Sequence, residues 1–99
     1  SFAFLGYLPA KTEERRQAVR SIEKHSSTAR QTKIFIETPY RNDSLLADIL
    51  SVCRADTEVC IAANITMPDA FIRTKTAGEW KKSVPTIGKR PCVFLILGH

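Results

Sequence analysis

Lys33-Ile34-Phe35-Ile36-Glu37-Thr38-Pro39-Tyr40-Arg41 decides how the rest of the chain is read, because an apolar run enters a polar turn that is followed at once by helical spacing. Ile34, Phe35 and Ile36 are β-branched or aromatic and predict a short strand buried on both faces. Pro39 ends it: proline lacks the ladder donor and biases Thr38 away from the helical region, so Glu37 and Thr38 fall at the strand's carboxyl end. Asn42 or Asp43 then caps a helix through Cys53, on which Leu45, Leu46, Ile49, Leu50 and Cys53 recur at helical spacing. Ligands of α/β sheets gather at the carboxyl ends of strands, where main-chain groups leave the ladder and face a crevice. A buried Glu37 without a partner would be costly, so it belongs at a cleft or in an ion pair. The plainer alternative is a polar turn carrying a surface acid.

Upstream, Phe2 to Leu5 reads as a strand and Gly6-Tyr7-Leu8-Pro9 as a rigid turn. Lys11 to about Lys24 predicts a helix with Thr12 as cap, Glu13 and Glu14 in the first turn, and Ala18, Val19 and Ile22 as a narrow apolar face. Arg15, Arg16, Arg20 and Lys24 form a basic band, either an anion-facing ridge or a solvated surface. Ser26 to Thr32 lacks periodicity and reads as a linker. Downstream, Thr57 to Ala63 is a strand ending in a second polar exit, Asn64-Ile65-Thr66. Ala70 to Lys75 fits a strand nearer an edge. Thr76-Ala77-Gly78-Glu79 has capping-box spacing and opens a short helix with Trp80. Pro91 starts the last strand, and Cys92 to Leu97, the longest apolar run, is the candidate for the sheet's centre. This order predicts a mixed α/β sheet.

Ninety-nine residues, 43% hydrophobic and 25% charged, fit one domain with one core. No apolar run approaches a membrane span. Phe2 to Leu5 lacks a basic leader and a small-residue cleavage pattern, so the start reads as structure rather than a signal peptide, and a chain opening inside a strand is expected to be cut from a longer protein. Fifteen Lys and Arg against ten Asp and Glu give +5, which permits a polyanionic partner or a merely solvated surface. Cys53, Cys60 and Cys92 lie in apolar patterns without C-x-x-C spacing and read as reduced core residues, which favours a cytoplasmic chain. With His25 and His99 far apart, no metal site is expected. No nucleophile elbow, G-x-G-x-x-G or Walker pattern occurs, and Trp80 beside Lys81 and Lys82 reads as core rather than a base-stacking platform.

Phe4-Leu5-Gly6-Tyr7-Leu8-Pro9-Ala10-Lys11 followed by Arg15-Arg16 resembles the F-x-G-[FY]-L-P-x-K-x-x-x-R-R signature of the ribosomal RNA small-subunit methyltransferase I family, within the tetrapyrrole methylase superfamily. Ile34 to Arg41 resembles that family's strand ending in Y-E-S-x-H-R, and the strand from Arg90 to Gly98 has a counterpart. The resemblance covers the family's carboxyl-terminal domain, with the amino-terminal domain absent. It implies a mixed five-stranded sheet with about three flanking helices, and S-adenosyl-L-methionine clamped between two domains. Glu37, Thr38, Ile65 and Thr66 match positions that touch the cofactor, chiefly through the main chain. Tyr7, Leu8, Pro9, Lys11, Arg15 and Arg16 match the substrate side, with the basic residues facing RNA phosphates. It further implies a homodimer in the full-length protein and methylation of an RNA ribose 2′-hydroxyl. A tetrapyrrole carbon is the alternative acceptor, and a non-catalytic binding or dimerisation module is the alternative class. Ala62-Ala63-Asn64-Ile65-Thr66-Met67 departs from that family's A-R-E-L-T-K, and no residue stands out as the catalytic base.

Overall fold

Cys92–Leu97 lies at the centre of a five-stranded mixed sheet, where the length of its apolar run places it. The computed structural model describes residues 1–99. Its strands are β1 (Phe2–Tyr7), β2 (Thr32–Ile36), β3 (Glu58–Ala63), β4 (Phe71–Thr76) and β5 (Cys92–Leu97). Its helices are α1 (Thr12–Ala29), α2 (Asn42–Val52) and α3 (Ala77–Lys82), and a 3-10 turn spans Pro39–Arg41. The spatial order is β1-β2-β5-β3-β4. β1 is parallel to β2, β5 is antiparallel to both β2 and β3, and β4 is antiparallel to β3. Consequently β1, β2 and β3 all point the same way, and their carboxyl ends share one edge of the sheet beside the amino end of β5.

The core lies on one face of that sheet. Phe35, Val59, Ile61, Phe94 and Ile96 point toward the helices, where Val19, Leu45, Leu46, Ile49 and Trp80 cover them. Phe35 and Phe94 are register partners whose rings stack at 6.0 Å. Trp80 is fully buried because its indole N–H donates to the Val59 carbonyl at 2.8 Å, the condition for burying that polar tip. The opposite face has no helix. Ile34, Ile36, Val93 and Leu95 are half-buried there and Phe2, Phe4 and Ile72 are exposed. β2 therefore alternates instead of being buried on both faces: its period of two sends Lys33 and Phe35 inward and Ile34 and Ile36 to the uncovered side.

Local chemistry moves several boundaries. β1 continues to Tyr7, because Gly6 adopts φ +72° at a register shift opposite β2 and lets the strand resume pairing rather than turn. α1 runs past Lys24 to Ala29, since its inward face is largely polar and gives little apolar periodicity: Arg15, Val19, Glu23 and Ser26 are the buried positions. Glu23 accepts from the Arg54 N–H at 2.7 Å and from the Thr57 hydroxyl. Ser26 donates to the Gln31 carbonyl at 2.6 Å and accepts from the Gly98 N–H at 3.0 Å. Thr12 does not cap α1; Lys11 holds that position without a side-chain bond. Neither Asn42 nor Asp43 caps α2, because both reach across to the loop before β5. Asn42 donates to the Gly88 and Arg90 carbonyls, and the Asp43 carboxylate accepts from the Ile87 and Gly88 N–H groups. The capping box at Thr76 and Glu79 forms as its spacing predicts, and its hydrogen bonds from Thr76 hold the Glu79 carboxyl below its usual range.

Gly98 meets α1 so closely that an added Cβ would lie 2.7 Å from the Glu23 carbonyl oxygen and 3.1 Å from Ser27 Cβ. Gly98→Ala is expected to cost about 1–3 kcal/mol by overpacking β5 against the helix. Urea unfolding measures it, and an unshifted midpoint would mean that the end of α1 gives way freely.

Candidate functional site

Arg15 sits on the inner face of α1, and its side chain is 2% exposed. Its Nε donates to Asp48 Oδ2 at 2.7 Å, Nη1 to Glu37 Oε2 at 3.3 Å and Nη2 to Ser44 Oγ at 2.6 Å. Ser44 and Asp48 stand four residues apart on α2, so both face the same guanidinium. Glu37 also accepts the Thr38 N–H at 2.8 Å through Oε1, and Arg41 lies 3.7 Å from that oxygen. A planar guanidinium with donors in fixed directions suits such a multidentate buried site. Glu37 is thus paired, one of the two outcomes its sequence context predicts. Arg15 is not part of a phosphate-facing ridge: the guanidinium is spent inside the fold, out of reach of an external phosphate. Arg16 is half-buried and its Nε bonds Asp48 Oδ1 at 3.0 Å.

Beside this network the two polar strand exits meet. A half-open cleft of about 480 Å³ lies between the ends of β2 and β3 and the start of β5. Ile36, Glu37 and Pro39 form one side, Asn64, Ile65, Thr66 and Met67 the other, and Pro91, Cys92 and Val93 lie between them. Glycine-like backbone at Asn64, φ +52°, turns the chain out of β3, and Asp69 holds that turn by accepting from the Asn64 amide. Its result is that the main-chain N–H and C=O groups of Ile65 and Thr66 have no partner within the chain. The cleft has the size and mostly apolar lining of a small-molecule site, with main-chain polar groups to orient a ligand. Burial pushes the Cys92 thiol in its wall up to about 11, so this cysteine is an apolar surface rather than a nucleophile. Burial and the nearby Glu23 push Cys53 up further still.

Glu37, Ile65 and Thr66 line this cleft, although the Glu37 carboxylate turns inward; Thr38 lies on its border between Glu37 and Pro39, with its N–H donating to Glu37 Oε1 and its carbonyl accepting from the Arg41 N–H. Tyr7, the last residue of β1, and Pro9 just beyond it are exposed at the same end of the sheet, Leu8 packs against the core, and Lys11 is exposed immediately before α1. Asp48 and Ser44 are missed by sequence reasoning, which places Asn64 at the second strand exit without its part in the turn. Asp48 carried a signal, a carboxylate inside the apolar stripe of α2; Asn64 carried none beyond its tolerance of positive φ. No group of three or more His, Cys, Asp or Glu is placed to hold a metal ion. No helix is long and apolar enough to cross a membrane.

No protein-family profile matches the chain. Over its whole length it is 39% identical to ribosomal RNA small subunit methyltransferase I of Vibrio cholerae. Over 99% of its length it is 32% identical to the protein of that name from Escherichia coli O157:H7. The chain spans about a third of the length of these relatives, 34% in each case. Among solved structures the methyltransferase CobJ superposes on 99% of the chain with a TM-score of 0.61 at 13% identity, the chain covering 41% of it. Uroporphyrin-III C-methyl transferase from Thermus thermophilus, complexed with S-adenyl homocysteine, superposes on 98% with a TM-score of 0.51 at 10% identity, the chain again covering 41% of it. The mixed five-stranded sheet with three helices is therefore that of the tetrapyrrole methylases, and the sequence resembles the ribosomal RNA small-subunit methyltransferase I family along its entire length.

Arg15→Met removes the only cation between Asp48 and Glu37 while keeping the volume of the side chain. Leaving two buried carboxylates without it is expected to cost about 3–5 kcal/mol. Adding Asp48→Asn and Glu37→Gln should recover part of that loss. Urea midpoints of the three proteins test it, and a single variant as stable as the parent would contradict the geometry.

Proposed function

We propose that this chain, similar throughout to a third of ribosomal RNA small subunit methyltransferase I and folded like the tetrapyrrole methyltransferases, is the carboxyl-terminal domain of an S-adenosylmethionine-dependent methyltransferase. It completes the cofactor and substrate cleft, and the acceptor is an RNA ribose 2′-hydroxyl. The observation that carries the reading is the meeting of the two strand exits at one cleft, lined by Ile36, Glu37 and Pro39 on one side and on the other by Ile65 and Thr66, whose main-chain donors and acceptors are unused. Those groups have the chemistry to read an adenine edge, and Ile65, Met67 and Val93 have the surface to pack its faces. The sequence similarity supports RNA over a tetrapyrrole as acceptor, because the tetrapyrrole enzymes share the fold at far lower identity. The rest of the protein, the amino-terminal domain included, supplies the other wall. Three free thiols support a cytoplasmic protein, and the uncovered sheet face supports a homodimer of the whole.

S-adenosylmethionine, when bound, supplies a methyl group on a sulfonium, already a good leaving group. What this chain contributes is position: the free main-chain groups of Ile65 and Thr66 fix the donor, and the apolar walls of both strand exits keep water from it. Glu37 does not serve as the base that takes the hydroxyl proton, since both of its oxygens are engaged by Arg15, Arg41 and the Thr38 N–H. That proton acceptor is assigned to the remainder of the protein.

Calorimetric titration tests the reading. The chain alone, holding half of the clamp, is expected to bind S-adenosylmethionine more weakly than about 100 μM, and the longer protein at least about tenfold more tightly. Ile65 is 52% exposed, so Ile65→Asp should leave the fold intact and weaken binding by the longer protein at least about tenfold. Equal affinity in that variant would remove the cleft from the cofactor's path.

A further inference from the structure

The net positive charge of this chain is concentrated in one segment. Residues 71–91 hold six basic side chains and one acidic one, Glu79, whereas residues 1–70 hold nine of each and residues 92–99 hold none, so the whole excess of +5 lies in β4, α3 and the loop into β5. Arg73 and Lys75 leave the edge strand β4 on the helix side, opposite Ile61 and Val59. Aromatic rings set their positions: Arg73 lies 5.7 Å and Arg90 5.9 Å from the Phe71 ring centre, and Lys75 lies 4.8 Å from that of Trp80. Lys81 and Lys82 are exposed on α3, and Lys89 lies 5.1 Å from the ring centre of Tyr40. None of the six forms an ion pair, although Arg15, Arg16, Arg41 and Arg54 all do. Arg90 precedes Pro91 in the cleft wall, and Tyr40, 80% exposed, follows Pro39 on the facing side. The strip therefore leads from α3 along the sheet edge to the cleft mouth.

We propose that this strip, and not α1, is the track for the phosphates of the RNA substrate, with the face of Tyr40 opposite Lys89 open to a base where the track meets the cleft. The proposal rests on the RNA reading above and deepens it. Arg90 donates to the Ile87 and Thr86 carbonyls, but none of the six has a carboxylate partner; like charges held side by side in this way repel one another, and a polyanion relieves that repulsion while its condensed counterions are released. α1 lacks this character: Arg15 is buried, Arg16 is held by Asp48, and Lys11, Arg20 and Lys24 share the helix with Glu13 and Glu14. Cations resting on rings are pre-ordered, so less side-chain freedom is lost when phosphate arrives.

The test is fluorescence anisotropy of a labelled single-stranded RNA of about 20 nucleotides, titrated with the chain from about 50 to about 200 mM salt. The strip variant is Lys81→Gln/Lys82→Gln/Lys89→Gln and the helix variant is Lys11→Gln/Arg20→Gln/Lys24→Gln, all exposed positions whose retained fold circular dichroism checks. The strip variant should lower the slope of log affinity on log salt by about 2 and weaken binding about tenfold or more, while the helix variant stays within about twofold of the parent. Equal losses in both variants, or a larger loss in the helix variant, would overturn the strip and leave RNA as acceptor standing. Absence of salt-dependent binding by the parent chain would overturn both.

Discussion

A guanidinium held inside the fold between two carboxylates is the interaction on which the rest of this structure depends. Arg15 comes from α1, Asp48 from α2 and Glu37 from the end of β2, so one side chain fixes three elements at the edge of the sheet where the cleft lies. Burying three charges is costly, and the arrangement persists because each of the three guanidinium nitrogens finds an acceptor, in Asp48, Glu37 and Ser44. The network also decides what the cleft can be. With Glu37 turned inward, the cleft offers apolar surface and the main-chain groups of Ile65 and Thr66, a lining that orients a ligand without proton chemistry of its own.

Topology does the remainder. Because β5 runs antiparallel between β2 and β3, those two strands are parallel yet not adjacent, and their exits stand apart by the width of one strand. Such a gap over the start of a central strand is where main-chain groups leave the ladder on both sides, the geometry that makes strand carboxyl ends into ligand sites. Helices on a single face leave the other face of the sheet open, and the edge strand β4 carries uncompensated charge. Cleft, open face and charged edge are thus three surfaces of different chemistry on one small domain.

Much of this was legible in the residues. Apolar runs and Pro or Gly punctuation predict the order of strands and helices, and the two polar strand exits come together as their positions at strand ends imply. Where reading failed, the cause was polar burial. α1 hides Arg15 and Glu23, whose partners lie more than twenty residues away, and Ser26, which bonds Gln31 in the following turn and Gly98 at the far end of the chain, so no local pattern marks them. Arg15 in particular looks like any other cation of a basic band until Asp48 and Glu37 are placed beside it. The caps expected at Asn42 and Asp43 failed for the same reason: their side chains found partners in the loop at Ile87 to Arg90, which sequence spacing does not bring near. The concentration of net charge in residues 71–91 was countable from the start, and its meaning depended on learning that Arg15, Arg16, Arg41 and Arg54 are internally paired.

Amide hydrogen exchange on the longer protein, with and without S-adenosylhomocysteine, tests most directly the claim that the two strand exits form one ligand site. Within this chain, protection is predicted at Thr38 and across Asn64 to Met67, with α1 and the open sheet face unchanged. Protection confined to the open face around Phe2, Cys60 and Leu95, or absent from this chain altogether, would contradict it.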